Sequence, residues 1–476
     1  MKNSKVFELI SSMQYKEQKK FKDFIRSPYF NTSERIIVLY ELIVDQVSIK
    51  AKDNPAKEVI HAKVFPGKPF KDQEIRDLMK SLVKLLEDFF IQIELQNDSL
   101  GSGMKLLSSY RKRKLDKYFN SSLANINQLF RKHSYRDGQY YLNDYLLGVE
   151  KNLFFEQKFK RTDESNLEQI SGSLDLFYLT RKLRHSCEII NLKNVIASDS
   201  KLFLLEEILS YINKNITKFE STGVISIYHK VLMTLEESDN ESHYYDLIGL
   251  LEKHSDEFTQ SENRNMYAYA QNYCIRKINE GSVNYLNELF DLYKILLEKE
   301  IILENKNISP WDYKNIVTVG LRVEQIEWTK KFIHDYEKVI ALEFRRNAFT
   351  YNLACLFFHQ KEYTKALKLF QEVEFTDVYY SLDSKSKLLK IYYELDEVEG
   401  LYSLIDSFRV YLRRNKLISD YQKTVYLNLI KYVKKVMQIK LNGNDSKKIT
   451  ALRNEVDNNK QVADIKWLTA KLDDLN

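Results

Sequence analysis

Four of the five prolines in this chain fall within its first 69 residues, and the fifth, Pro310, stands in Ser309-Pro310-Trp311-Asp312. A proline inside a helix removes a backbone donor and clashes with the turn before it. In the Ser309 segment the reverse holds: Ser309 can cap a helix, Pro310 can take its first position and Asp312 can close the reciprocal capping bonds. Beyond residue 69, then, no proline interrupts a helix interior. Glycine is also scarce, with 12 in 476 residues, against an average usage of about 7%. The chain reads as all-α.

The stretch 347–375 shows how the helices are organised. Leu353, Ala354 and Phe357 fall on one apolar face, a polar turn runs from His359 to Glu362, and Tyr363, Ala366, Phe370 and Val373 form the facing surface. Spacings of three and four place each set on one side of a helix. Ala354 and Ala366 lack bulk where two helices of a hairpin approach closely, and the aromatics fill the wider gaps. Thirty-five residues on, Leu388, Leu389, Tyr392, Val398, Leu401, Ile405 and Phe408 repeat the register. A period near 34 residues with drifting side-chain size is the pattern of stacked helical hairpins. At these positions the stretch resembles a tetratricopeptide (TPR) repeat, although Lys361 stands where that family favours Gly and Val378 where it favours Pro. The resemblance implies a degenerate TPR-like solenoid with a groove for an extended peptide or a helix. In that groove it implies roles for Asn352 and Lys387, which hold polar positions on the first helices of adjacent hairpins.

The rest of the chain divides, on this reading, into a basic N-terminal helical domain (1–100), the solenoid (101–441) and C-terminal capping helices (442–476). Residues 5–26 read as one or two short helices ended by Ser27-Pro28, with Asn31 and Glu34 opening the next helix to about Val47. A loop with Pro55, Pro66, Gly67 and Pro69 holds a short helix near 59–64, and Asp72 caps a long one. The stripe Ile75, Leu78, Met79, Leu82, Leu85, Leu86, Phe89, Phe90 and Ile93 fits a core face, or alternatively about three heptads of a dimer seam. The segments SPYFN, FPGKPF and IRDLMKSLVKLLEDFF together resemble a bacterial family of helical-repeat proteins, a likeness that implies no activity. Small polar residues at 97–103 mark a flexible joint. Hairpins are then expected at 123–130 with 140–155, 174–190 with 202–212, 224–235 with 244–251, 266–278 with 285–297 and 311–320 with 326–340. Asn442–Ser446 breaks a long helix before a final polar-faced pair.

Several functions find no support. Cys187, Cys274 and Cys355 are odd in number and lie on apolar helix patterns, which reads as buried reduced thiols in a cytoplasmic protein. No apolar run is long enough for a signal peptide or a membrane span. The Gly67-Lys68 pair is followed by Pro69, which has no N–H for a phosphate, so no nucleotide loop is expected. The eight histidines include no pair at zinc-ligand spacing, and no serine sits in a Gly-x-Ser-x-Gly turn. No cofactor, metal or catalytic group is expected. The net charge of +6 is uneven, because residues 1–136 carry a surplus of ten cations. Tyr110-Arg111-Lys112-Arg113-Lys114, followed by Lys117 and Tyr118, is the one basic run with interleaved aromatics. Its plain reading is a solvated helix start after the joint. The expected function is therefore a non-enzymatic scaffold that binds a polypeptide. The alternative is a nucleic-acid-associated regulator that uses Arg111, Lys112, Arg113, Lys114 and Lys117.

Overall fold

In the computed structural model, residues 4–49, 57–132, 135–157, 164–195, 201–373, 378–443 and 445–475 are described. The loop around Pro55, His133 and the turn 374–377 lie outside them. Among the described residues there are 24 α-helices and no strand, apart from two isolated bridges. The chain forms two compact units, Met1–Lys182 and Leu183–Asn476.

The first unit opens with α1 (Lys5–Ser12), α2 (Tyr15–Arg26), α3 (Glu34–Ile49), α4 (Lys57–Val64) and α5 (Asp72–Asn97) around one core. The long stripe of α5 is used within this core: Ile75, Leu82 and Leu86 are fully buried against Ile10, Phe21, Ile25 and Leu39. Two expected caps fall elsewhere. Lys71 holds the cap position of α5, and Asp72 instead pairs with Lys57 at 2.7 Å and Arg76 at 2.6 Å. Asn31 accepts from the Ser33 amide and donates to the Ile25 carbonyl, so it ties the end of α2 to the start of α3.

The expected joint at 97–103 is helical instead. Asp98 caps α6 (Ser99–Lys112) by accepting from the Gly101 amide at 2.8 Å. At Gly103 a β-carbon would lie 3.0 Å from the Ile126 side chain on α7 (Asp116–Lys132), so the small residue serves close helix approach. With α8 (Gly138–Glu156) these helices close a second core of Leu107, Phe119, Ile126, Phe130, Leu147 and Phe154. Cores thus separate near residue 100, but without a linker. The basic run ends α6 rather than starting a helix.

In the second unit the long α9 (Glu164–Val195), which the unit boundary crosses, precedes α10 (Leu205–Lys214) and α11 (Ile216–Phe219). A stack of hairpins follows: α12 (Gly223–Glu236) with α13 (Ser242–His254), α14 (Gln260–Asn279) with α15 (Tyr285–Glu298), and α16 (Pro310–Arg322) with α17 (Ile326–Asp335). The next are α18 (Leu342–His359) with α19 (Tyr363–Glu372) and α20 (Val378–Glu394) with α21 (Val398–Arg414). Each second helix packs on the next first helix, and first helices also meet, α12 on α14, α16 on α18 and α20 on α22 (Asp420–Leu441). The last helices, α23 (Ser446–Asp457) and α24 (Ile465–Asp474), share the core of α20–α22. Ala354 and Ala366 are fully buried where α18 and α19 meet, as their size requires. The fold is an all-α helical-hairpin solenoid with a small helical core at its N-terminal end.

The repeat is clearest in its turns. At Lys114, Gly281, Glu324, Lys361 and Asp396 the residue after the first helix is left-handed, with φ between 57° and 103°. The following amide returns to the helix five residues back: Leu115 to Tyr110, Ser282 to Lys277, Gln325 to Gly320, Glu362 to Phe357 and Glu397 to Tyr392, at 2.9–3.0 Å. This is the Schellman closure, which satisfies carbonyls left open at a helix end. Only one of the five residues is glycine. Lys361, a lysine where the TPR pattern favours glycine, stands in the left-handed conformation that glycine adopts most freely.

Candidate partner-binding site

The first helices of the second unit are tied together by a seam of polar side chains. Arg184 of α9 reaches Glu262 of α14 at 2.7 Å, and the Tyr228 hydroxyl of α12 donates to the other oxygen of that carboxylate at 2.6 Å. Arg264, two residues further along α14, lies 2.8 Å from Asp312 of α16. Asp312 also accepts from the Ser309 hydroxyl, which in turn caps α16 as its sequence indicates. From α16, Lys314 holds its ammonium over the rings of Tyr380 (4.5 Å), Tyr351 (5.4 Å) and Trp311 (5.5 Å). The Tyr351 hydroxyl of α18 donates to Asp383 of α20, and Lys387 pairs with the same carboxylate oxygen. Lys390 and Ser386 both meet Asp464, just before α24, at 2.6 Å and 2.8 Å.

The electrostatics follow from this pairing. Burial works against the charge on Asp383, but Lys387, Lys314 and the hydrogen bonds from Lys387 and Tyr351 outweigh it and hold its carboxyl down to about 2. Burial likewise opposes the charge on Lys387, and Asp383 reverses that, so its ammonium is held charged above the usual lysine range. At Lys390 burial prevails over Asp464 and its pKa falls. The seam is thus charged yet neutralised within itself. Its members keep a reachable edge: the side chains of Arg184, Arg264, Asp312, Asp383, Lys387 and Asp464 are 21–37% exposed.

The predicted groove residues separate. Lys387 is in the seam. Asn352 is withdrawn, 1% exposed, with its amide donating to the Ala348 carbonyl at 2.8 Å. Asparagine mid-helix can bond to the turn before it, and this one does so through its amide N–H, with its Oδ1 left without a partner. The basic run also divides. Arg111 turns inward to a two-point bond with Glu150 at 2.6 and 3.3 Å and its side chain is 12% exposed, whereas residues 112–118 are all exposed.

The thiols are buried as expected, and burial pushes Cys355 up to about 11 and Cys274 up to about 12. They remain protonated at neutral pH and make poor nucleophiles. Three of the histidines, His61, His229 and His254, are buried. His61 meets Glu74, His254 meets Glu257, and burial pushes His229 down to about 4. Among the described residues no three of His, Cys, Asp and Glu converge on one point, and no helix is long and apolar enough to cross a membrane. Glu262 and Asp464 are not legible in the sequence as members of the seam, because each meets a group 78 residues away. No family model matches the chain, and neither a curated protein nor a solved structure does.

Proposed function

We propose that the second unit is a non-catalytic, TPR-like scaffold that holds a polypeptide partner along its first-helix layer. The observation that carries this reading is the seam, in which charges on successive hairpins are fixed by their neighbours and still present an edge to water. Side chains already held in place lose little freedom when a partner arrives, so their contacts translate into affinity. Trp311, 43% exposed beside Lys314, adds an aromatic anchor of the kind that concentrates binding energy. A peptide crossing the layer would meet alternating charge and aromatic surface, and its own charges would set the register.

The test is a tagged pull-down from the native host, with and without nuclease, repeated with Trp311→Ala and Lys387→Ala proteins of unchanged helicity. A protein that survives nuclease and is lost with either variant supports the scaffold. Capture that ignores both variants removes the first-helix layer as the docking surface.

A further inference from the structure

We propose that the corner between α6 and α7, in the first unit, binds single-stranded nucleic acid. Seven consecutive residues there, Lys112 to Tyr118, are exposed, and they hold four cations against the single acid Asp116. Lys112, Lys114 and Lys117 have no acidic partner among the described residues, and Arg113 bonds only to the hydroxyl and carbonyl of Ser109. The fifth cation of the run, Arg111, is removed by Glu150 and locks the corner onto α8. One structural cation and four presented ones therefore come from one short stretch. The backbone beneath them is rigid, closed by Lys114 to Arg111 and Leu115 to Tyr110, each 3.0 Å, with Lys114 left-handed at φ 57°.

The helix dipole explains only part of this. Cations at the last turn of α6 complement its negative end, which accounts for Lys112 and Arg113. Lys117 lies in the first turn of α7, at the positive end, where the dipole favours acids. Asp116 opens the same turn and answers the dipole, so Lys117 is a cation that the dipole does not call for. What selects nucleic acid over another polyanion is Tyr118, 54% exposed, with its ring 5.9 Å from that of Tyr110 beside the cations. Cations along a backbone path with an open aromatic face for a base are the elements of sequence-tolerant single-strand binding. A lipid surface would need more apolar area than Leu115, 38% exposed, supplies.

The experiment is fluorescence anisotropy of the full chain with labelled mixed-sequence DNA and RNA single strands of about 16 nucleotides, the upper site size of one binding module, across a salt series. Each phosphate contact contributes about 0.7 to the slope of log affinity on log salt. The Lys112→Ser/Lys114→Ser/Lys117→Ser protein should therefore lose about two units of slope. Tyr118→Ala should weaken binding about five- to hundred-fold with the slope unchanged, because stacking releases no counterions. Lys117→Gln alone serves as a second variant that leaves the turn intact and should remove about 0.7 of slope. Absence of binding at low salt, or indifference to all three variants, overturns the proposal. So does displacement of the oligonucleotide by an equal charge of polyglutamate, which would mark an acidic polypeptide as the ligand. Nuclease-sensitive capture lost with these variants leaves the scaffold reading of the second unit untouched, so the two can fail separately.

Discussion

Two lysine-rich stretches, Tyr110–Lys117 in the first unit and Ser384–Lys390 in the second, are close in composition and opposite in fate. In the second, Lys387 is paired with Asp383 and Lys390 with Asp464, while Lys385 lies over the Tyr411 ring at 5.3 Å with its pKa lowered by burial. In the first, only Arg111 finds an acid, Glu150, and the cations after it face water. What decides between them is whether a carboxylate is at hand, from the same helix at Asp383 or from the start of α24 at Asp464. A cation drawn inside without one would incur a desolvation cost of several kcal/mol. The same residue types thus build a self-neutralised seam where the stack supplies acids and a presented basic corner where it does not.

The strongest way to break this contrast is to remove an acid from the seam. Glu262→Ala should leave the buried Tyr228 hydroxyl without its acceptor and Arg184 with Glu188, at 3.0 Å, as its remaining partner, at a cost of about 3 kcal/mol. Lys112→Ala at the corner should stay within about 0.5 kcal/mol. Urea unfolding midpoints of the two proteins measure the difference. Equal shifts would mean that the seam is no more structural than the corner.

A second effect is acid destabilisation from His229, which is 6% exposed on α12 with its Nε2 lacking a partner. Burial, helped by Lys230 and His243, lowers its pKa from 6.5 to about 4. The unfolded chain therefore takes up the proton first. Stability present above pH 6.5 is lost as pH falls toward 4, by up to about 3 kcal/mol at about 1.4 kcal/mol per pKa unit. His229→Leu should flatten that part of a stability–pH profile, and an unchanged profile would assign the slope elsewhere.

Asp383 works in a lower window. Its pKa, held to about 2 against an ordinary 3.8, gives stability that is present above pH 4 and disappears as pH falls through 2. Because its side chain is 33% exposed, solvent screening reduces the contribution to about 1–2 kcal/mol. Asp383→Asn should cost that much at pH 7, and a double-mutant cycle with Lys387→Met should return most of it as coupling. Additive losses would show that the pair is close without being coupled.

These residues also show what could be read from the sequence and what could not. The register of 353–373 against 388–408, the hairpins from 224 onward, the cap at Ser309 and the buried thiols are all local patterns, set by periodicity and chemistry within a few turns. Gly101 and Gly103 misled because small residues serve both linkers and close helix contacts, and only Ile126, from another helix, decides between them. Asn352 misled because its bond to the Ala348 carbonyl turned a polar position inward. Glu262 and Asp464 were invisible as site residues, since each meets a group 78 residues away, in Arg184 and Ser386 respectively, across stacked hairpins whose drift of about 35–45 residues obscures the register.

The smallest predicted effect asks whether the two regions share their local physics even where their surfaces diverge. Lys114 at the basic corner and Lys361 in the stack occupy the same left-handed position, φ 57° and 61°, in the same turn closure. A residue with a β-carbon is disfavoured there by about 1 kcal/mol, whereas glycine adopts the conformation freely but loses more entropy on folding. Lys361→Gly should accordingly stabilise the protein by about 0.5–1 kcal/mol, read as a rise in the thermal midpoint. Lys114→Gly should stabilise by the same amount and, unlike Lys361→Gly, weaken oligonucleotide binding. A lysine that stabilises its own turn less well than glycine, and whose loss is felt only by a ligand, would separate the corner's role from its fold. If Lys114→Gly instead destabilises, the lysine has a structural partner at the corner, and the contrast with Ser384–Lys390 is one of degree.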